Sequence, residues 1–286
     1  MKKILIQLDT DPLASVFDSI VAYDAGVDHI LAYGGVTTEN VQDLIYGAMF
    51  TRGGEKLKNT AIFIGGSQVS PAQEVMDVAL NTFFGPVRVS VLLDANGCNT
   101  TAGAAVIKMN EAHPVAGKEV MVLAGTGPVG MRAAALLALE GATVTLSSRS
   151  MKKAQTVCNV LKEQYKVEIS ALALNPADQE AMAEALAGKV AVLTTGAPGA
   201  LLLEEQTWLA LPDLKVLADL NAVPPGGIGG LKPTDNAKER HGKICFGPLG
   251  IGGFKMGLHK AALSQLFVKN DQVLDAREVY SLGKNL

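Results

Sequence analysis

The feature that most restricts what this chain can become is a run of six residues, Gly125-Thr126-Gly127-Pro128-Val129-Gly130. It closes the apolar run EVMVLAG (119–125) and opens the amphipathic stretch MRAAALLALEG (131–141). With a strand before it and a helix after it, each glycine of a GxGxxG motif has a separate use. The first makes the tight turn, the second lets a pyrophosphate approach the backbone, and the third lets helix and strand pack closely. The helix N-terminus adds unpaired N–H groups and the positive end of its dipole for the phosphates. A purely structural turn is the competing account, and the strand–turn–helix context favours a dinucleotide.

The next strand says which dinucleotide. A site for NAD carries Asp or Glu about 20 residues on, where it binds the ribose 2′-hydroxyl. Here the segment is TLSSRSMKKA (145–154). Ser148, Arg149 and Lys153, with Ser147, Ser150 and Lys152 beside them, offer hydroxyls and cations to a 2′-phosphate and no carboxylate to repel it. NADP is therefore the expected cofactor and NAD the alternative. A solvated basic turn is the plainer reading of the same residues. Two later loops follow strands at their carboxyl edge, where open sheets bind ligands. They are Thr194–Gly199, with Thr195, Gly196 and Ala197, and Asp219–Ala222, with Asn221; both are expected at the nicotinamide end, and a plain strand-to-helix turn is the alternative for each.

Around this motif, short β-branched runs alternate with helical stretches along almost the whole chain, which argues for parallel sheets covered by helices. A first series reads as strands 4–9, 29–34, 61–66 and 87–93, with helices over 15–24, 38–50 and 71–83; Thr38 and Ser70 are the expected N-caps of the second and third. A second series reads as strands 119–125, 143–148, 167–174, 191–196, 215–220 and 243–247. The expected fold is α/β, with two α/β domains. Residues 1–100, joined by returning C-terminal helices from about 256 to 286, form the substrate domain, and 101–255 form a Rossmann-type dinucleotide domain. A helix from about Thr101 and another from about Phe254 cross between them, and a substrate cleft between the domains is expected where they cross.

Composition excludes other classes. Of 286 residues, 48% are hydrophobic and 19% charged, which is globular material, and the net charge of −3 leaves no footprint for nucleic acid or anionic membrane. No apolar run reaches membrane-spanning length, and MKKILIQLD turns acidic too soon for a signal peptide. Cys98, Cys158 and Cys245 lie far apart and form neither a disulfide frame nor a metal set, so a reducing, cytoplasmic setting and no metal are expected. There is no serine elbow, no HExxH and no Cys–His pair, and His29, His113, His241 and His259 are scattered. The chemistry then belongs to the cofactor, as hydride transfer, with the protein supplying position and exclusion of water.

The substrate candidates lie in the first series. Asp94-Ala95-Asn96-Gly97-Cys98-Asn99-Thr100-Thr101 ends its fourth strand with a dense set of hydrogen-bonding side chains, which suits a heteroaromatic ligand. Helix capping by Asn99 or Thr100 is the alternative use. Phe17 and Asp18, with Asp9, Asp11, Tyr23 and Asp24, fall near the same edge; for these, surface turn and helix positions are an equal account. Two glycine-rich blocks remain, GGIGGLK (226–232) and PLGIGGFK (248–255). Both read as loops where backbone must come close to a flat ligand, or else as turns, and the second places Lys255 at the start of the returning helix.

The segments FDSIVAYDAGVDHI, MFTRGG, FFGPVRVSVLLDANGCNTTA, VLAGTGPVGMRAAALLALEGA, ADLNAVPPGGIGG and FGPLGIGGFK resemble the NADP-dependent methylene-tetrahydromethanopterin dehydrogenases of methylotrophic bacteria. The resemblance runs nearly end to end and is looser between residue 167 and Pro198. It implies oxidation of the methylene bridge of a reduced pterin, tetrahydromethanopterin or tetrahydrofolate, to the methenyl cation. It further implies that Lys255 is the lysine at the pterin, that Asn96, Asn99 and Thr100 lie on the substrate edge, and that Gly125–Gly130 and Arg149 lie on the cofactor edge. A small homo-oligomer, a trimer or a multiple of one, is implied as well. Lys255 is left either as a neutral amine on the pterin or as an ammonium paired with Asp94 or Asp18. A folate-type dehydrogenase/cyclohydrolase and an NADP-sensing protein without turnover are the competing functions.

Overall fold

The computed structural model describes all 286 residues, Met1 to Leu286. The chain divides into two compact units, Met1–Thr100 with Met256–Leu286, and Thr101–Lys255. It runs β1 (Ile4–Asp9), α1 (Val16–Asp24), β2 (His29–Tyr33), α2 (Val41–Phe50), β3 (Thr60–Gly65), α3 (Val69–Thr82), β4 (Ser90–Leu93) and α4 (Cys98–Ala112). There follow β5 (Glu119–Leu123), α5 (Pro128–Leu139), β6 (Thr143–Ser148), α6 (Met151–Tyr165), β7 (Ile169–Ala173), α7 (Gln179–Leu186), β8 (Ala191–Thr194), α8 (Glu205–Leu209) and β9 (Val216–Asp219). The chain ends with β10 (Lys238–Arg240), β11 (Lys243–Phe246), α9 (Pro248–Gln265), β12 (Val273–Leu274) and α10 (Ala276–Gly283). The helices α4 and α9 carry the chain across the boundary between the units, at Thr100/Thr101 and Lys255/Met256.

The first unit holds a five-stranded parallel sheet in the order β12-β4-β3-β1-β2. Its central strands are mostly apolar on both sides, with the buried Gln7 of β1 an exception, as suits a sheet covered on both faces. Ile6, Leu8, Ile62, Ile64, Val91 and Leu93 pack with α2 and α3 through Ile45, Met49, Val75 and Met76. The alternate set, Leu5, Ala61, Phe63 and Leu92, packs with Val21 of α1, Leu258, Ala262, Leu263 and Leu266 of α9, and Val279 of α10. The second unit holds seven strands in the order β10-β11-β9-β8-β5-β6-β7, all parallel except the β10–β11 hairpin. Reading from β7 to β11, this is the doubly wound 3-2-1-4-5-6 order, with its switch point between β5 and β8.

Several boundaries differ from the sequence expectation, each for a local reason. The fourth strand shortens to Ser90–Leu93, because Phe84 and Val87 pair across a turn instead of joining the sheet. Thr38 does not cap α2: Asn40 precedes that helix, and its side chain closes the turn by accepting from the Thr37 N–H at 2.8 Å and donating to the Gly35 carbonyl at 3.1 Å. Ser70 does not cap α3; it lies inside the first turn, where Pro71 is tolerated because no N–H is needed there.

The largest difference is at α9. The block PLGIGGFK is helical from Pro248, so Lys255 is the eighth residue of α9 and not its start. At 1.5 Å per residue the N-terminus is about 10 Å away, beyond the first turn within which the dipole acts. The first-turn amides of α9 are already used: Leu249 and Gly250 donate to the Pro233 carbonyl at 2.8 and 3.3 Å. Gly247 and Gly250 are small so that this strand-to-helix corner can lie on residues 232–236. A Cβ at Gly250 would come within 1.9 Å of the Asp235 carbonyl, and one at Gly247 within 2.2 Å of the Lys232 carbonyl.

Asp235 braces that corner. Its buried carboxylate takes Arg240 Nε and Nη2 at 2.7 Å each and the Lys232 N–H at 2.9 Å. Burial by itself would raise its pKa, but the hydrogen bonds from Arg240 and Lys232 and the Arg240 charge outweigh burial and hold it below the ordinary 3.8. A lowered pKa stabilises the fold at all pH values above 3.8, and that stabilisation is lost as pH falls through the folded value. Asp235→Asn is therefore expected to melt below the wild type at pH 7, with the gap in Tm closing only below the ordinary value. A gap that stays constant into strong acid would contradict the brace.

Candidate active site

In the second unit, the turn after β5 is built as a phosphate-binding turn must be. A Cβ at Gly125 would lie 2.8 Å from Leu146 Cγ and 2.9 Å from Val122 Cγ1. One at Gly130 would lie 2.5 Å from Thr195 Oγ1 and 2.6 Å from Gly125 Cα. Gly127, between them, faces open space. The first and third glycines thus serve helix–strand contact, and the second leaves room for an incoming group. Ala124, at φ 52°, turns the chain and is tied to β6 by its N–H on Ser147 Oγ at 3.2 Å. Pro128 is the first residue of α5, and Thr126, Pro128 and Val129 keep accessible surface beside the open glycine.

Next to that turn, β6 ends in Ser148 and an exposed Arg149. Ser150 caps α6 by accepting from the Lys153 N–H at 3.3 Å, which leaves the exposed side chains of Lys152 and Lys153 in the first turn of the helix. No carboxylate pairs with Arg149, Lys152 or Lys153. Three exposed cations at the end of β6, without an acid, fit an anion on the ribose. Thr195 joins the third glycine through its hydroxyl, which also bonds the Leu123 and Ala124 carbonyls at 3.2 Å each; Gly196 packs on Leu202, and Ala197 is exposed. Asn221 is buried and holds neighbouring loop backbone. Asp219 and Ser147 both support this rim from buried positions, and the Ser147 hydroxyl, expected beside a 2′-phosphate, instead accepts from the Ala124 N–H. The only sequence sign of Asp219's role is a polar residue at the carboxyl end of an apolar strand.

In the first unit, the residues after β4 divide into two groups. Asp94 takes the Asn99 and Thr100 N–H groups on Oδ1 at 2.9 and 3.1 Å and the Thr100 hydroxyl on Oδ2 at 2.6 Å. Asn99 donates from Nδ2 to the Leu93 carbonyl at 2.6 Å and to Asp275 Oδ1 at 2.8 Å. Asp94, Asn99 and Thr100 are buried and form the cap of α4, which starts at Cys98. Asn96 differs. It is exposed, held at φ 52° with its N–H on the Gly66 carbonyl at 2.7 Å, a conformation asparagine tolerates well. Asp9 and Asp11 build turns, Asp9 accepting from Asp11 and Ser15 and Asp11 from Ser67.

Phe17, 53% exposed, stands in the first turn of α1 with its ring 6.3 Å from the buried His259 ring, which is 5.8 Å from Phe63. Asp18 Oδ1 lies 3.8 Å from His259 Nε2. Phe17, Asp18 and Asn96 thus keep a surface a ligand can reach. On α9, Lys255 is half-buried, and the directions a Cβ would take from Gly252, Gly253 and Gly257 meet nothing within 4 Å. The other block is used internally. Gly227 accepts from Leu202 and Leu203, Gly229 accepts from Trp208 Nε1 at 2.8 Å, and a Cβ at Gly229 would press on the Glu205 backbone N at 3.0 Å and one at Gly230 on the Glu205 side chain at 2.5 Å. The glycines of 226–230 thus have internal contacts that account for their small size.

The N-terminal domain of the methylene-tetrahydromethanopterin dehydrogenases matches residues 16–96, which include Phe17, Asp18, Asp94 and Asn96. The protein described as "Bifunctional protein MdtA" from Methylorubrum extorquens is 47% identical over 287 aligned positions, covering 100% of this chain and 99% of that one. The chain belongs to the methylene-tetrahydromethanopterin dehydrogenase family. A second relative from Methylorubrum extorquens, described as an NAD(P)-dependent methylenetetrahydromethanopterin dehydrogenase, is 28% identical over 94% of this chain and 93% of its own. Among solved structures, quinate dehydrogenase from Corynebacterium glutamicum in complex with NAD superposes with a TM-score of 0.54 at 14% identity, covering 100% of this chain and 99% of its own. A shikimate 5-dehydrogenase from Mycobacterium fortuitum gives 0.52 at 17%, covering 99% and 98%. At such identities these two share the fold, a Rossmann-type dehydrogenase architecture of two α/β domains.

For a member of this family, the capping network at Asp94 has a measurable consequence. Asp94→Ala is expected to lower stability by about 1–2 kcal/mol, the scale of a lost helix cap. Denaturant unfolding would read this directly. A variant of unchanged stability would contradict the capping role.

Proposed function

We propose that this protein oxidises the methylene bridge of methylene-tetrahydromethanopterin, or of methylene-tetrahydrofolate, to the methenyl form with NADP, and with NAD as the second choice. The observation that carries this reading is a dinucleotide turn followed by an acid-free cationic strand end, in a chain belonging throughout to this family. When bound, the dinucleotide accepts the hydride at its nicotinamide ring. The residues of the chain bind, orient and keep water away. The turn Gly125–Gly130 and the N-terminus of α5 hold the pyrophosphate, and Ser148, Arg149 and Lys153 hold the 2′-phosphate. Thr195, Gly196, Ala197 and Asn221 shape the nicotinamide end.

On the carrier's side, Phe17 offers a ring face to the pterin, and Asn96 and Asp18 offer hydrogen bonds to its edge. Three helical glycines cost about 1 kcal/mol each relative to alanine. Of these, Gly252 has no packing reason for that cost and stands one turn before Lys255 on the same face. A flat ligand lying against α9 supplies the reason, and Lys255 is then the amine that holds the pterin.

No helix is long and apolar enough to cross a membrane. A cytoplasmic homo-oligomer, a trimer or a multiple of one, fits the exposed Leu13, Val16, Ile20 and Tyr23 at α1 and the exposed Leu31 and Tyr33 of edge strand β2. One experiment tests the function: NADP or NAD crossed with the two methylene carriers, following dinucleotide reduction and the fate of the methenyl product. Reduction with methenyl accumulating supports the dehydrogenase, and rapid hydrolysis of added methenyl carrier adds a cyclohydrolase. No reduction with any pair leaves a binding protein without turnover.

A further inference from the structure

Asp219 ends β9 with a carboxylate that is 3% exposed and has no cation beside it. Neutral donors surround it instead. Oδ1 accepts from the Thr194 hydroxyl at 2.7 Å and the Asn221 N–H at 3.0 Å, and Oδ2 from the Gly227 N–H at 2.7 Å and the Ile228 N–H at 3.4 Å. A buried carboxylate is costly unless donors satisfy both oxygens, and these four do. The glycines that follow are fitted to it: a Cβ at Gly226 would lie 2.9 Å from Oδ2, and one at Gly227 2.7 Å from Oδ1 and 2.8 Å from Thr194 Oγ1.

Asn221 carries the ties one step further. Its Oδ1 accepts from the N–H groups of Gly199 at 3.3 Å and Val223 at 3.0 Å, and its Nδ2 donates to the Pro225 carbonyl at 3.2 Å. One carboxylate thus joins the end of β8, the loop 195–199 and the loop 220–228. These loops lie on the opposite side of the switch point from β6, since the sheet order places β8 and β9 to one side of β5 and β6 to the other. A dinucleotide with its 2′-phosphate at the end of β6 and its pyrophosphate on α5 must extend its nicotinamide half over β8 and β9.

We propose that Asp219 is a positioning residue for the nicotinamide half of the dinucleotide, acting through Thr194, Asn221 and the loops they hold. The proposal rests on the dinucleotide reading above. An aspartate is needed because all four partners are donors; an asparagine would turn an NH2 group toward two of them.

The test uses Asp219→Asn and the milder Thr194→Val, with NADP, NAD and 2′,5′-ADP, which carries the adenosine half and no nicotinamide. Asp219→Asn is expected to bind 2′,5′-ADP within about twofold of the wild type, while kcat falls on the order of 10²-fold, the scale of a displaced reacting group. NADP and NAD should suffer alike, and Thr194→Val should show the same pattern more weakly. If both variants keep kcat and KM at wild-type values, or if 2′,5′-ADP binding falls in step with NADP binding, the positioning role is overturned. Thr194→Val decides should Asp219→Asn not fold. A wild type that binds neither 2′,5′-ADP nor NAD overturns the dinucleotide reading itself, and the positioning role with it.

Discussion

Lys255→Ala and Lys255→Gln lower kcat on the order of 10²-fold or more, the scale of lost positioning, and leave NADP affinity close to that of the wild type. The expectation follows from where the lysine stands. It is two turns into α9, half-buried, with Gly252 on the same face opening onto unfilled space. The dinucleotide is held elsewhere, by the turn after β5 and the end of β6. Hydride departure from the methylene carbon leaves a delocalised cation, so the lysine serves by holding the pterin in reacting geometry. Gln keeps a hydrogen-bond donor but is both shorter and uncharged, so activity retained by Gln and lost by Ala would point to the hydrogen bond. Steady-state kinetics with fluorescence titration of NADP check this; weakened NADP binding with kcat intact would make Lys255 a cofactor or structural residue.

Arg149→Ala raises KM for NADP roughly 10- to 150-fold, the equivalent of about 1.5–3 kcal/mol for a hydrogen bond to a charged group, and barely changes KM for NAD. Arg149 is exposed and makes no ion pair, so its removal breaks nothing in the fold. Because the contact is solvated, the effect is expected to shrink as salt is raised. Equal losses for the two dinucleotides would move Arg149 off the 2′-phosphate. The contrast with Asp219 is useful: Arg149 addresses only NADP, whereas the loops held by Asp219 address the half that both dinucleotides share.

Much of this protein can be read from local pattern. The GTGPVG turn, the acid-free TLSSRS strand end and the alternation of strands and helices are each contained within a few consecutive residues. Backbone sterics and hydrogen-bond geometry act at that range, so these features are legible before the packing of Leu146 and Thr195 against Gly125 and Gly130 is known. Four things depended on tertiary contact. Whether PLGIGGFK is a loop or a helix turned on residues 232–236, whose carbonyls accept the first amides of α9 and leave no room for side chains at Gly247 and Gly250. Whether Asp94, Asn99 and Thr100 face a ligand or a helix end turned on burial, and Asp275, 176 positions from Asn99, completes that cap. The glycines at 226–230 were explained only once Asp219 and the segment 202–208 lay against them. Asp219 itself, one acid at the end of an apolar strand, acquired its meaning from donors at 194, 221, 227 and 228. Glycine and buried polar residues are the ambiguous letters of a sequence, because a backbone approaching closely and a carboxylate needing partners are both satisfied by groups distant along the chain.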